Sequence, residues 1–130
     1  MELSQFHNGI AMHNEVIRQA IKNDALYVMH EDGYSYTVGM RDIGAPELII
    51  YGQRDAVATE MFKIIYTAAA QKFDDLDMNR MVKTVFNPAP ELSVVSEREK
   101  KTIFFAVRTY YDDWVFTAIK IIMKSNKRNC

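Results

Sequence analysis

The feature that most constrains the fold is a series of three β-forming runs in the first half of the chain. The runs are Ala25–His30, Tyr34–Met40 and Glu47–Tyr51, and glycine-containing turns separate or end them. The middle run alternates in polarity and is rich in β-branched and aromatic residues, which is typical of a half-buried strand. Short connections join antiparallel neighbours. The runs therefore predict three consecutive antiparallel strands.

Helical periodicity surrounds these runs. Residues Ala11–Lys22 carry apolar side chains on one face, and Arg54–Phe73 gives the clearest helix. Its predicted apolar stripe consists of Val57, Met61, Ile64, Ile65, Ala68 and Phe73. The segment Ser96–Glu99 has the spacing of a capping box, which predicts the start of a third helix. The apolar face of that helix is formed by Ile103, Phe104, Val107 and Tyr111.

The second half of the chain supplies the remaining strands. Val82–Phe86 is predicted as a fourth strand, and Trp114–Met123 is a further β-rich run after the break at Asp112-Asp113. Lys124–Cys130 reads as a basic tail. The prediction is a single α+β domain over residues 1–130, with an antiparallel sheet of about five strands packed with three helices.

Composition excludes several classes of protein. The chain has 130 residues, of which 48% are hydrophobic and 25% charged, as in a soluble globular domain. The net charge of −1 argues against broad nucleic-acid binding through bulk charge. The single cysteine, Cys130, cannot build a disulfide framework. Neither a signal peptide nor a membrane-spanning run is recognisable, so we expect a cytoplasmic protein without a membrane partner.

The central strands resemble a known family signature. The stretch Tyr34–Met40, followed by Gly44-Ala45-Pro46-Glu47-Leu48-Ile49-Ile50-Tyr51-Gly52, resembles the bacterial and phage family called domain of unknown function 4262. That family shows an aromatic-Tyr-Thr-Val-Gly-Leu strand, a loop, His-Pro-Glu-Leu, a glycine-ended strand, a helix, an aromatic pair and a final strand. The resemblance spans roughly Val16 to Met123. Because the family has no agreed activity, the resemblance implies a fold more than a function.

The chain departs from the family pattern at several polar positions. Met40 stands in the leucine place and Ala45 in the histidine place. The family's last strand carries a glutamine and ends in Trp-Pro-Asp, where this chain has Lys120, Met123, Lys124 and Ser125. If the family's polar cluster uses those groups, the resemblance implies that this chain has lost or changed the family's function.

Catalytic constellations are weak in the sequence. The histidines, His7, His13 and His30, lack the spacing that places two metal ligands on one helix face. Ser35 lies within a predicted strand and not on a strand-to-helix turn, so it does not suggest a hydrolase nucleophile. The aspartates at 74, 75 and 77 lack an ordered calcium loop. We expect no metal and no cofactor, and an enzyme acting on a nucleotide or flavin is the weakest alternative.

A ligand site is predicted around the second and third strands. Tyr34 and Tyr36 share one side of their strand, so they either pack in the core or form a stacking platform. Glu47 either fixes its loop, as a cap or through a salt bridge with Arg41, or contacts a ligand. Gly52–Arg54 leads into a helix N-terminus, where an anion can bind. The predicted ligand-binding residues are Tyr34, Tyr36, Arg41, Glu47, Arg54 and Lys120.

Two function classes remain beside the enzyme alternative. The first is a small non-catalytic binding protein, for which size and resemblance suggest a phage origin, that holds a small anionic, nucleotide-like ligand. The second is a protein-interaction module that caps or inhibits a host protein, to which the eight methionines would lend an adaptable surface. The partner in a third arrangement is a second copy of the chain. The segment Trp114–Met123 is apolar enough to pair across a subunit boundary in such a homodimer.

Overall fold

A computed structural model of the protein describes residues 15–23, 26–71, 78, 80, 82, 86 and 88–123. The helices with continuous described ranges are α1 (residues 15–23), α2 (Asp55–Ala70), α3 (Glu97–Ile103) and α4 (Phe105–Tyr111), with a 3-10 helix at Met40–Ile43. Residues 78, 80 and 82 also have a helical backbone. None of the helices in this part of the chain is long and apolar enough to cross a membrane.

A five-stranded sheet forms the centre of the molecule. Its strands are β1 (Tyr27–Glu31), β2 (Tyr34–Val38), β3 (Glu47–Tyr51), β4 (Glu91–Val94) and β5 (Ala118–Ile122). Their order in space is β1-β2-β3-β5-β4. All neighbours are antiparallel except β3 and β5, which are parallel. The predicted α+β class is confirmed, and the sheet is mixed by this one parallel pair.

The three consecutive antiparallel strands are confirmed in the order β1, β2, β3. Gly33 makes the first turn with φ of 92°, a conformation that costs glycine little. The second strand ends at Val38, two residues earlier than predicted. Gly39 takes a φ of 122° there and the chain enters the 3-10 helix at Met40. A left-handed backbone cannot continue a strand, so the glycine sets the boundary.

Helices cover both faces of the sheet. Phe62 and Ile65 of α2 pack with Leu48 on one face, whereas Ile49 packs with Phe104 on the other. Successive residues of a strand point to opposite faces, so the continuous apolar run of β3 supplies both cores. The position of α2 across the sheet confirms the prediction for this helix.

The predicted fourth strand at Val82–Phe86 is wrong. Val82 has a helical backbone, and the Phe86 amide donates to the Val82 carbonyl at 3.0 Å, which is the spacing of an α-helical bond. The fourth strand is instead β4, after Pro88 and Pro90. A short apolar run does not distinguish a strand from a buried helix segment, which explains the error.

The predicted third helix is two helices. The chain leaves helical geometry at Phe104, with φ of −84° and ψ of 50°, and α4 begins at the next residue. Phe104 is fully buried, 4.9 Å from the Tyr36 ring. The first turn of α4 has amides without intrahelical acceptors, and the Ala106 amide donates to the Tyr36 hydroxyl at 3.1 Å. Packing on Tyr36 thus accompanies the break.

Some details of the other predicted elements differ from the structure. In α2, Ile64 of the predicted stripe is exposed, and Phe62 is buried in its place. Residues 114–117 have no regular structure, so the last strand starts only at Ala118. The start of the first predicted helix, Phe73 of the second and the basic tail lie outside the described residues.

Candidate functional site

A pair of tyrosines lies where β2 begins and β3 ends. The antiparallel register places Tyr34 opposite Tyr51, and the ring centroids are 5.6 Å apart. Tyr51 is 39% exposed, and Tyr34 is half-buried. The Gly52 amide donates to the Gly33 carbonyl at 3.0 Å and closes this end of the hairpin. The two rings give a planar ligand a surface on which to stack.

Lys120 brings a positive charge to the same place. Because β5 runs parallel to β3, Lys120 lies beside Ile49. Its Nζ is 5.4 Å from the centroid of the Tyr51 ring and 3.4 Å from Oε2 of Glu99. The Tyr51 hydroxyl donates to the same Oε2 at 3.4 Å. We call Tyr34, Tyr51, Glu99 and Lys120 the tyrosine surface.

The ion pair of the tyrosine surface is weak, and its two phenols are neutral. The Lys120 and Glu99 side chains are each about one-third exposed, and such partly exposed ion pairs contribute only about 0–1 kcal/mol. Burial raises the pKa of Tyr34, and the charge of Glu31 adds to the effect. Burial and Glu99 likewise raise the pKa of Tyr51. Both phenols are therefore neutral hydrogen-bond donors at physiological pH.

Tyr36 lies in the core. It is 2% exposed, and its ring stands 6.3 Å from that of Tyr34. Its hydroxyl accepts a hydrogen bond from the Ala106 amide, and burial raises its pKa. A ligand cannot reach the faces of the buried Tyr36 ring. Tyr36 therefore packs beside Tyr34 within the core and is not part of the tyrosine surface.

Glu47 is fully buried at the start of β3. Its carboxylate accepts hydrogen bonds from the Thr37 hydroxyl at 2.7 Å and from the amides of Gly39, Met40 and Arg41 at 3.3, 3.2 and 3.0 Å. Burial raises its pKa to about 7, against the lowering effect of these donors. Glu47 therefore fixes the loop through main-chain amides, and not through the side-chain salt bridge that was one expectation.

The guanidinium of Arg41 has other partners. Its Nη1 donates to Oδ1 of Asp113 at 2.8 Å, and its Cζ lies 4.6 Å from the centroid of the Tyr111 ring. Burial raises the pKa of Tyr111, and the charges of Glu47 and Asp42 add to the effect. The Tyr111 hydroxyl is buried, and within the described residues no group has hydrogen-bond geometry to it, the nearby Asp42 included. Arg41 thus joins the 3-10 helix to the end of α4.

The structure does not bring the predicted ligand-binding residues together in one site. Tyr34 begins β2 whereas Glu47 begins β3, and the two strands run in opposite directions. These residues are therefore roughly 13 Å apart along the hairpin, at about 3.3 Å per residue. Tyr34 and Lys120 meet at the tyrosine surface, and Arg41 and Glu47 lie at the other end. Arg54 is the exposed N-cap residue of α2 and makes no side-chain capping bond.

Two members of the tyrosine surface were not predicted from the sequence. Tyr51 ends an apolar strand, and its place opposite Tyr34 follows only from the strand register. The sequence places Glu99 in the predicted capping box. Its amide does donate to the Ser96 hydroxyl at 3.1 Å, but its carboxylate contacts Lys120. The alternation of side chains along β3 is the one sequence signal for Tyr51. It places Tyr51 on the same face of the strand as Ile49.

Comparison with known proteins gives a family match. Neither the curated proteins nor the solved structures gave a match to the chain. A family model matches residues 17–129, and that family is described as a domain of unknown function, DUF4262. The match covers the sheet and all the helices described above except the first two residues of α1. The chain therefore belongs to the DUF4262 family.

Proposed function

We propose that the tyrosine surface is a non-catalytic site at which this small binding protein holds a planar, anionic ligand of nucleotide type. The observation that carries the proposal is the position of Lys120, whose ammonium lies over the Tyr51 ring beside the Tyr34–Tyr51 pair. A cation next to two aromatic side chains offers a phosphate contact and a stacking contact together.

The proposed complex follows from these positions. The base of the ligand stacks on the exposed Tyr51 ring, an interaction that contributes about 1–3 kcal/mol for a base on an aromatic side chain. The phosphate takes the place of Glu99 at Lys120, and the weak ion pair is lost at little cost. The Tyr51 hydroxyl, released from Glu99, becomes free to donate to the ligand.

Local charge favours a ligand with a single phosphate. Lys120 is the cation of the tyrosine surface, with Glu99 in contact with it and Glu31 close enough to Tyr34 to raise its pKa. Additional phosphates would meet these carboxylates, and among the described residues Lys120 is the cation in contact with the tyrosine surface. We therefore expect a monophosphate to bind more tightly than a triphosphate.

Thermal-shift measurements with AMP, GMP, CMP, UMP and FMN test the proposal, and ATP serves as the triphosphate comparison. A ligand at 100 times its dissociation constant adds roughly 2.7 kcal/mol to the free energy of unfolding. Lys120→Ala should remove the shift, and Lys63→Ala, an exposed lysine of α2, should retain it. Equal shifts in the two variants, or none with any of these nucleotides, would contradict the proposal.

A second candidate function has its own observation. Phe105 and Val115 are 57% and 72% exposed, and the Phe105 ring stands 5.9 Å from that of Trp114. Exposed apolar groups that lie together favour a protein partner, which supports the interaction-module alternative. Phe105→Glu should then reduce capture of a host protein from bacterial lysate, whereas Lys63→Ala should not. Sedimentation velocity distinguishes a host partner from a second copy of the chain.

A further inference from the structure

A cluster of polar side chains lies on the face of the sheet opposite the tyrosine surface. Nδ1 of His30 is 2.7 Å from Oγ of Ser35 and 3.5 Å from Oδ1 of Asp55. Nε2 of the same ring is 3.1 Å from Oγ1 of Thr59. The β1–β2 register pairs His30 with Ser35, and Asp55 and Thr59 are one turn apart on α2.

The partners of the imidazole favour one tautomer. Two oxygens, one of them from the Asp55 carboxylate, surround Nδ1, whereas one hydroxyl faces Nε2. Negative charge near Nδ1 favours the proton on that nitrogen. Nε2 is then an acceptor, and the Thr59 hydroxyl donates to it. The Thr59 hydroxyl, the imidazole and the Asp55 carboxylate follow the order of a hydrolase triad, but Ser35 holds the hydrogen bond at Nδ1 and Asp55, at 3.5 Å, acts on the ring through its charge.

Exposure selects Thr59 over Ser35 as the reactive hydroxyl. Ser35 is 1% exposed, so no substrate can reach it, whereas Thr59 and His30 are half-buried and Asp55 is exposed. Helical side chains lean toward the helix N-terminus, which directs Thr59 toward the first turn of α2. The amides of that turn have no acceptors within the helix, and they can stabilise a developing oxyanion.

We propose that Thr59, His30 and Asp55 form a second site that hydrolyses small carboxylic esters. Thr59 is the nucleophile, His30 is the general base, and Asp55 is a positioning residue whose charge favours the proton on Nδ1 of His30. The acyl group must be small because the Thr59 methyl group crowds its own hydroxyl. This activity goes beyond the binding proposed for the tyrosine surface and does not depend on it.

The proposed reaction has two steps. Oγ1 of Thr59 bonds to the ester carbonyl carbon and passes its proton to Nε2 of His30. The carbon–oxygen bond to the alcohol then breaks, and the alcohol leaves with that proton, so an acyl ester of Thr59 remains. Water attacks this ester and gives a proton to Nε2. The proton returns to Oγ1 as the acid departs.

Hydrolysis of 4-nitrophenyl acetate by the full chain provides the first test. Thr59→Val, which keeps the side-chain shape, should lower the rate about 100-fold or more, as should His30→Gln. Thr59→Ser should retain activity, and Thr67→Val, at an exposed threonine on the same helix, should leave it unchanged. Asp55→Asn should lower kcat with little effect on KM. Full activity in Thr59→Val would overturn the proposal.

Covalent labelling provides a second test that does not require a folded variant. A fluorophosphonate probe reacts with activated hydroxyl nucleophiles, and tandem mass spectrometry of the labelled wild-type chain identifies the modified residue. Label on Thr59 supports the proposal. Label on other residues alone, or no label at a probe concentration that saturates a known serine hydrolase, overturns it.

Discussion

Glu47 illustrates, at the scale of single residues, how one carboxyl fixes the loop that follows β2. Its position after Pro46, ahead of an apolar strand, marks it in the sequence as a buried acid in need of partners. The sequence does not identify those partners, because they are amides of a loop that curls at Gly39, where φ is 122°. Only the folded backbone brings these amides to the carboxylate.

Removal of the Glu47 carboxyl should destabilise the whole domain. Glu47→Ala leaves a buried hydroxyl and three loop amides without their acceptor. Each buried polar group left unsatisfied costs about 1–3 kcal/mol, so we expect a total loss of roughly 3 kcal/mol or more. Urea denaturation at pH 7 measures the loss. A midpoint equal to that of the wild type would show that the carboxylate does not hold the loop.

Stability should also depend on pH through Glu47. Its pKa is about 7 in the folded chain against an ordinary value of 4.5, so the folded chain binds this proton more tightly than the unfolded chain. The resulting stabilisation is fully present below about pH 4.5 and is lost as pH rises through about 7. Glu47→Gln should remove this dependence.

Urea midpoints of the wild type and Glu47→Gln at pH 5 and pH 8 test the sign. The wild type should lose more stability than the variant between these two values. The opposite order would show that the four hydrogen bonds to the carboxylate outweigh its burial. The comparison cancels the contributions of other titrating groups that the two chains share.

Strong local patterns make some secondary-structure elements predictable, and β1, β2, β3 and α2 belong to this group. Alternation, turn glycines and a long amphipathic stripe act over short stretches of chain. The division between α3 and α4 has no such signal, because it accompanies the packing of Phe104 on Tyr36. The burial of Lys100 also has no sequence signal, because a lysine in a polar helix normally indicates a solvent-exposed position.

Lys100 should be essential to the segment that precedes β5. Its Nζ donates to the carbonyls of Trp114 and Phe116 at 2.9 and 2.6 Å. Lys100→Met leaves both acceptors without this donor, and we expect a loss of about 2–4 kcal/mol in the free energy of unfolding. The neighbouring exposed Lys101 is the matched control, and Lys101→Met should change stability by less than about 0.5 kcal/mol. Equal urea midpoints for the two variants would refute this role.

The N-cap of α3 gives a second prediction at the scale of elements. The Ser96 hydroxyl accepts a hydrogen bond from the Glu99 amide, so Ser96→Ala should cost about 0.5–2 kcal/mol. Ser96→Asp retains an acceptor at the cap and should remain close to the wild type. Chemical denaturation of the three chains tests the order, and an alanine variant as stable as the aspartate variant would argue against the cap.

At the scale of the whole molecule, topology decides which polar groups can act together. The sequence indicates Tyr34, Tyr36 and Lys120 as candidates, but proximity in the chain groups Tyr34 with Arg41. The fold separates that pair along β2 and unites Tyr34 with Tyr51 and Lys120 across three strands. The antiparallel β2–β3 register places Tyr34 opposite Tyr51, and the parallel β3–β5 pair adds Lys120. Parallel pairing between distant segments has no local sequence signal.

The most direct test of the proposed binding is a titration of ¹⁵N-labelled protein with AMP and FMN, followed by NMR. We expect saturable shifts of the amides of Tyr34, Tyr51 and Lys120, and loss of these shifts in Lys120→Ala. The amides of residues 39–41, which Glu47 holds at the other end of the hairpin, should change little. Shifts centred on residues 39–41, or no saturable shift with either ligand, would contradict binding at the tyrosine surface.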